Sequence, residues 1–200
     1  MSAISAPFGF RVSFHNSGQV RAKAYAITSA YAVNIFAGDP VKLIADGTIQ
    51  LGTSDGTRSG TTDGIKILGI FQGCQYSDAI LKPTISPFWP GGATGTEIVA
   101  WVVDDPEVLF NAQYANPGTP GTTSMQSAVG KQTDFTVASP GGSTRTGLST
   151  TALGVLQSTA GQFQITGFAN ELADSITDAY AVVSVRINEH QYKASINTVT

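Results

Sequence analysis

Two hundred residues make one domain or two small ones, and a chain of this length buries roughly 70% of its unfolded surface without disulfide or metal staples. Charged residues are only 12% of it and the formal net charge is −3, which excludes the basic footprint of non-specific nucleic-acid binding. Hydrophobic residues at 42% with so little net charge exclude wholesale disorder, and the single cysteine, Cys74, excludes an internal disulfide.

From the N-terminus, residues 1–18 carry Phe8, Phe10 and Phe14 with little alternation and read as an extended arm. Three phenylalanines on a free arm would be poorly soluble, so it packs on its own body or on a neighbour. No basic stretch precedes an apolar core there, so no signal peptide is expected. The remainder, 19–200, reads as a single β domain. Val20–Ile27 reads as a strand with Arg21 and Lys23 on one face. Val41–Ala45 and Thr48–Leu51 flank Asp46–Gly47, a dipeptide that predicts a type I′ hairpin turn. Ile65–Cys74 and Ile98–Val103 are apolar on both faces, as central strands covered on both sides are. The second is the longest wholly apolar run, far too short to span a membrane.

Alternation is clearest from Val108 to Tyr114, where Val108, Phe110, Ala112 and Tyr114 share a face. Leu148–Leu156 is a further strand candidate. In Gly161–Phe168, Phe163 and Ile165 alternate with Gln162, Gln164 and Thr166. In Tyr180–Glu189, Ala181, Val183, Val185 and Ile187 alternate with Ser184, Arg186 and Asn188. Helical signal is confined to Asn170–Ser175, with Asn170 as N-cap. The loops at 52–64, 115–127 and 139–147 are long and rich in Gly, Ser, Thr and Pro, and structureless loops of that length are often functional. The expected fold is therefore all-β, a sandwich or barrel of short antiparallel strands with at most one short helix.

Catalytic chemistry is hard to assemble from these residues. Asp104 and Asp105 are adjacent, so in a strand they would face opposite ways. Pro106 follows, and an Asp-Pro step between two alternating runs is a natural corner. His15 and His190 are the only histidines, one near each end. Cys74 lies in a strand pattern, as a small buried hydrophobe does. No C-x-x-C or H-x-x-x-H pair suggests zinc, and Asp46, Asp55 and Asp63 lack EF-hand spacing. No G-K-[ST] marks a phosphate loop. The expectation is no enzyme, no metal and no cofactor. In Pro87–Gly92 (PFWPGG), Phe88 and Trp89 either plug one end of the core or face a partner.

Five phrases together, IFAGDPVKL (Ile35–Leu43), GIFQGCQY (Gly69–Tyr76), PFWPGG, VVDDPEVLFNAQ (Val102–Gln113) and STRTGLST (Ser143–Thr150), resemble the decoration or cement proteins of tailed bacteriophages. The resemblance covers residues 5 to 190. It implies a non-enzymatic virion protein, made in the host cytoplasm and bound in many copies to the outer capsid surface. There it would bridge neighbouring major capsid protein subunits, often as a trimer or dimer, with no nucleic acid and no membrane involved. Phe8, Phe10, Phe14, Phe88 and Trp89 are the candidate contact residues, with the loops at 52–64 and 115–127. Deleting residues 1–14 is expected to abolish attachment and leave a folded domain. The alternatives are a carbohydrate-binding surface module, with Trp89 and Phe88 stacking on sugars, and another phage component of the tail or neck.

Overall fold

The alternating segments form an all-β fold of antiparallel sheets packed together. The computed structural model describes residues 5–54, 65–78, 80–114, 125–137, 141–157, 160–169 and 180–193. The helix expected at Asn170–Ser175 and most of the loops at 52–64 and 115–127 lie outside the described residues. Among those described, the one helical element is a 3-10 turn, Met125–Ala128.

The first sheet orders six strands as β1 (Arg11–Phe14), β10 (Leu109–Gln113), β14 (Val182–Ile187), β13 (Phe163–Phe168), β11 (Gln132–Thr136) and β12 (Ala152–Gln157). The second runs β2 (Lys23–Tyr25), β9 (Thr96–Val103), β6 (Gly69–Ser77), β4 (Pro40–Leu43) and β5 (Ile49–Leu51), with β7 (Pro83–Ser86) paired to the far half of β6. A two-stranded ribbon, β3 (Ile35–Phe36) with β8 (Phe88–Trp89), forms a third sheet and packs on the second core.

Two cores result. Val108, Phe110, Ala112 and Tyr114 share the first with Phe163, Ile165 and the inward residues of β14, as their alternation predicts. The second core gathers Phe71, Cys74, Ala100 and Val102 under Trp89. Strands β6 and β9 serve both, with Ile70 and Val103 facing the first core and Phe71 and Val102 the second. The expected cover on both sides is thus present at this end of the pair. Farther along it is partial. Val99 and Trp101, opposite Gln75 and Gly73, turn away from the second core and stay only half-buried.

Period-2 reading fails at two glutamines. Gln162, expected outside, is buried and its Nε2 donates to the carbonyls of Thr53 (2.9 Å) and Ile65 (2.8 Å). Gln113 is likewise buried, accepting from the Ala6 N–H at 2.9 Å and donating to the Tyr180 carbonyl at 3.2 Å. Each amide bonds backbone groups of segments that lie outside the strands. The turn at Asp46–Gly47 also differs from expectation. Gly47 alone has positive φ (82°), and its N–H donates to the Ile44 carbonyl at 3.0 Å. A type I′ turn needs two such residues, so this is a three-residue loop ending in a glycine bulge. The Asp46 carboxylate, accepting from the Thr48 N–H and hydroxyl at 2.8 Å each, holds it.

The N-terminal residues pack on their own body. Strand β1 pairs with β10, and Phe10 is 1% exposed with its ring 4.4 Å from that of Phe163. Deleting residues 1–14 would therefore remove an edge strand and excavate the first core, which corrects the expectation that a folded domain remains.

Candidate functional site

Four of the five phrases pack around one buried aspartate and its flanking residues. Asp39, in IFAGDPVKL, is 1% exposed. Its Oδ1 accepts from the hydroxyls of Ser149 (2.5 Å) and Thr151 (2.8 Å), and its Oδ2 accepts from the Phe36 N–H (2.8 Å). The first hydroxyl belongs to STRTGLST, whose Leu148 also bridges Ala37. GIFQGCQY joins through the Phe71 N–H to the Asp39 carbonyl (2.9 Å) and the Gly38 N–H to the Phe71 carbonyl (2.8 Å). PFWPGG enters through the ribbon and through Pro87, which packs where a side chain on Gly147 (φ 72°) would stand. Burial pushes the Asp39 carboxyl above its usual range, and its three donors oppose that only in part.

A groove of about 610 Å³ opens beside this knot, lined by Val33, Phe36, Leu51 and Val137 together with Asn34 and Arg145. Its size suits a ligand. Asp39 lines it, but both carboxylate oxygens are already engaged by neutral donors.

The second polar cluster is the Asp104–Asp105 corner, and it is a turn, as expected. The Asp105 Oδ1 accepts from the Glu107 N–H at 2.9 Å, capping the bend into β10. Asp104 points inward, taking Lys23 Nζ at 2.8 Å and the Tyr25 hydroxyl at 2.6 Å. Desolvation and the hydrogen bond to Asp104 push the Tyr25 hydroxyl far above its usual value. Both histidines converge here. His15 Nε2 lies 3.4 Å from Asp105 Oδ2. His190 is buried against Tyr192, and its Nδ1 accepts from the Tyr192 N–H at 3.0 Å, which leaves the ring proton on Nε2. That Nε2 makes no well-formed hydrogen bond, although the Asp104 and Leu68 carbonyls lie near enough to favour the protonated ring. Burial outweighs them and holds the His190 pKa below the usual value.

Asp105, His15 and Ser17 have the composition of a charge-relay triad, with His15 Nδ1 2.6 Å from Ser17 Oγ. The chemistry does not follow. Nδ1 has one lone pair, and the Ser17 N–H competes for it at 3.1 Å. The Ser17 hydroxyl also contacts the Gln19 carbonyl and N–H on an exposed turn. This is a hydrogen-bonded bend at the surface, in which the hydroxyl serves the turn. One further serine corrects the reading that the sequence has no G-x-S-x-G stretch. Ser54 stands in Gly52–Gly56 (GTSDG), which has the spacing of a nucleophile elbow. Both histidines are engaged elsewhere, so none serves it. Asp55 and Asp63 lie outside the described residues, and among those described no three His, Cys, Asp or Glu side chains are grouped to hold a metal ion.

The candidate contact residues divide sharply. Trp89 is fully buried, its indole N–H donating to the Tyr31 carbonyl at 3.1 Å and its ring edge-on to Tyr76. Phe10 is equally enclosed, so neither offers surface to a partner. Phe88 is half-buried and stacks on Phe36, and half-buried Phe8 carries the Arg11 guanidinium 4.4 Å above its ring. Phe14 alone is open, at 55% exposure. Cys74 is buried in the second core, and desolvation pushes its thiol up to about 12. Comparison with known proteins finds no matching family model, no matching curated sequence and no matching solved structure.

Sequence reasoning missed Asp39, although GDP repeats the Asp-Pro signal read at Asp105–Pro106. It also missed Tyr25 and His190 as neighbours of Asp104. Only the basic residue Lys23, noted on its strand, hinted that Asp104 would have a partner.

Proposed function

We propose that this chain is a non-enzymatic structural protein of a tailed-phage virion, a cement protein that bridges major capsid protein subunits on the outer surface. The observation that carries the reading is the convergence on Asp39. Phrases chosen for their resemblance to decoration proteins, and scattered over 116 positions from Ile35 to Thr150, pack into one hydrogen-bonded unit. The sparse charge supports a surface that lies against other protein, and many modest contacts add through a lattice. Among the described residues of the arm, Phe14 and the outer edge of β1 are open to make them. The sugar-platform reading loses support, because Trp89 has no face open to a ring.

The test is co-sedimentation of the purified full-length chain with phage heads that lack it, followed by imaging. Bound chain at regular sites on the outer shell is expected, with binding weakened by Phe14→Ser at unchanged stability. A folded wild-type chain that stays in the supernatant with every head tried would remove the proposal.

A further inference from the structure

Beyond β14 the chain leaves the first sheet and reaches over to the second. The N–H groups of Asn188 and Glu189 root this segment on the Gln162 carbonyl, at 2.8 and 3.2 Å. The Ile67 N–H then donates to the Glu189 carbonyl (2.9 Å), and the Gln191 N–H donates to the Ile67 carbonyl (3.0 Å). At the end of β4 the Gln191 side chain does what a further strand would do. Its Oε1 takes the Leu43 N–H at 2.7 Å, and its Nε2 donates to the Leu43 carbonyl at 2.9 Å. Little apolar surface is sealed by this segment, since Gln191 is half-buried and Tyr192 and Lys193 are exposed. The one side chain that 188–193 sinks fully is His190, at 1% exposure.

The ring holds the segment in a way that depends on a lone pair. Its Nδ1 accepts from the Tyr192 N–H at 3.0 Å, within a turn where the Lys193 N–H returns to the His190 carbonyl at 3.2 Å. A second proton on the ring removes that acceptor, because both nitrogens of a charged imidazole are donors. An N–H then opposes the Tyr192 N–H, and turning the ring over only exchanges one N–H for the other. Around the ring stand the Asp104 and Asp105 carboxylates of the corner, the Leu68 carbonyl and the Tyr192 ring. Asp104 is also bonded to Lys23 and Tyr25 of β2, and Asp105 lies against His15. The segment itself carries Glu189 and Lys193, the latter 3.7 Å from Glu107. The two carboxylates make a charged ring attainable, and burial sets its cost.

We propose that residues 189–193 are a proton-operated strap, held on the second sheet by neutral His190 and lifted at 191–193 when that ring takes up a proton, with both sheets still folded. Local opening gives up a few hydrogen bonds, whereas Ile187 and the strands before it stay in the first core. Lifting the strap uncovers the Leu43 backbone at the end of β4 and the Tyr25 hydroxyl, which the Tyr192 hydroxyl approaches at 3.5 Å. Acid thereby exposes a backbone edge that is closed at neutral pH. The inference does not depend on the virion reading.

Amide exchange of the full-length chain, followed by NMR from about pH 8 to 5 and corrected for the intrinsic rate at each pH, tests it. The Ile67, Gln191 and Tyr192 amides are expected to lose about tenfold in protection on the acid side, in step with the ring-nitrogen shifts of His190. Amides of β10 and β14 keep theirs. His190→Gln abolishes the response, since its side-chain oxygen takes the Tyr192 N–H at every pH. His15→Gln leaves the response intact, which assigns it to His190. If His190→Gln does not fold, the wild-type match between ring shifts and strap exchange decides. Strap amides that hold their protection while His190 takes up its proton overturn the proposal. So do strap and strand amides that fail together, a ring still neutral where the sheets unfold, or an acid response that survives in folded His190→Gln.

Discussion

Asp39–Pro40 and Asp105–Pro106 are the same dipeptide at two strand junctions, and the fold treats them in opposite ways. At the first, the aspartate itself goes inside and is met only by two hydroxyls and an N–H. At the second, the aspartate stays at the surface to cap the turn, and its predecessor Asp104 goes inside with an ammonium and a phenol. The Asp39 cradle is therefore neutral and made of loops, so its strength depends on how well those loops are placed. The Asp104 cradle draws on Lys23, whose side chain is 66% exposed and stays in touch with water. A buried carboxylate without a cation ties loops together at an electrostatic cost. One with a solvated lysine is a softer, more replaceable joint.

Removing each carboxylate should separate the two. Asp39→Ala strands the Phe36 N–H and two hydroxyls in a buried site and should lower stability by about 3 kcal/mol, read from the urea midpoint at constant slope. Asp39→Asn should lose less than half of that. Its carbonyl oxygen still takes the Phe36 N–H, and the hydroxyls rotate to accept from the amide. Equal losses for Ala and Asn would mean that the charge, and not the shape of the cradle, holds these loops.

Asp104→Ala comes next, at about 1.5 kcal/mol. The Tyr25 hydroxyl loses its acceptor, while Lys23 swings to solvent and needs no new partner. A loss as large as that of Asp39→Ala would show that the corner is as rigid a joint as the loop knot, and the contrast between them would fail.

The sequence reveals less of these two sites than of the sheets around them. Strand faces such as Val108–Tyr114 are legible because side chains must alternate between core and solvent, a rule that needs no knowledge of neighbours. The Asp39 knot is not legible in that way, since its donors stand 110 and 112 residues away and no local pattern couples them. Gln162 and Gln113 mislead for a related reason. An amide reads as solvent-facing until the fold supplies carbonyls for it to cap. Trp89 could sit in a core or at an interface on composition alone, and only its indole bond to the Tyr31 carbonyl decides. Leu81 gives no sequence signal, because its positive φ belongs to a tip set by Asp78, whose Oδ1 takes the N–H groups of Ile80 and Lys82 at 3.0 Å each.

The smallest expected effect is one of pH, and it turns the same contrast into opposite slopes. Burial holds His190 below the usual histidine value of 6.5, so the unfolded chain takes up a proton that the folded chain refuses. Stability is then complete above that value and declines as pH falls towards the folded pKa. The carbonyl and carboxylate of Asp104 and the carboxylate of Asp105 favour the charged ring and limit the decline. Asp39 acts in the other direction. Burial raises its carboxyl above 3.8, so the folded chain keeps a proton that the unfolded chain releases. Its contribution is complete below that value and is lost as pH rises through the folded pKa. Urea midpoints measured between about pH 4 and 7 should therefore move apart in the two single variants. His190→Gln flattens the acid side, and Asp39→Asn removes the penalty on the alkaline side. If His190→Gln leaves the acid slope unchanged, the ring already holds its proton in the folded state, and the Asp104 carbonyl is then its partner after all.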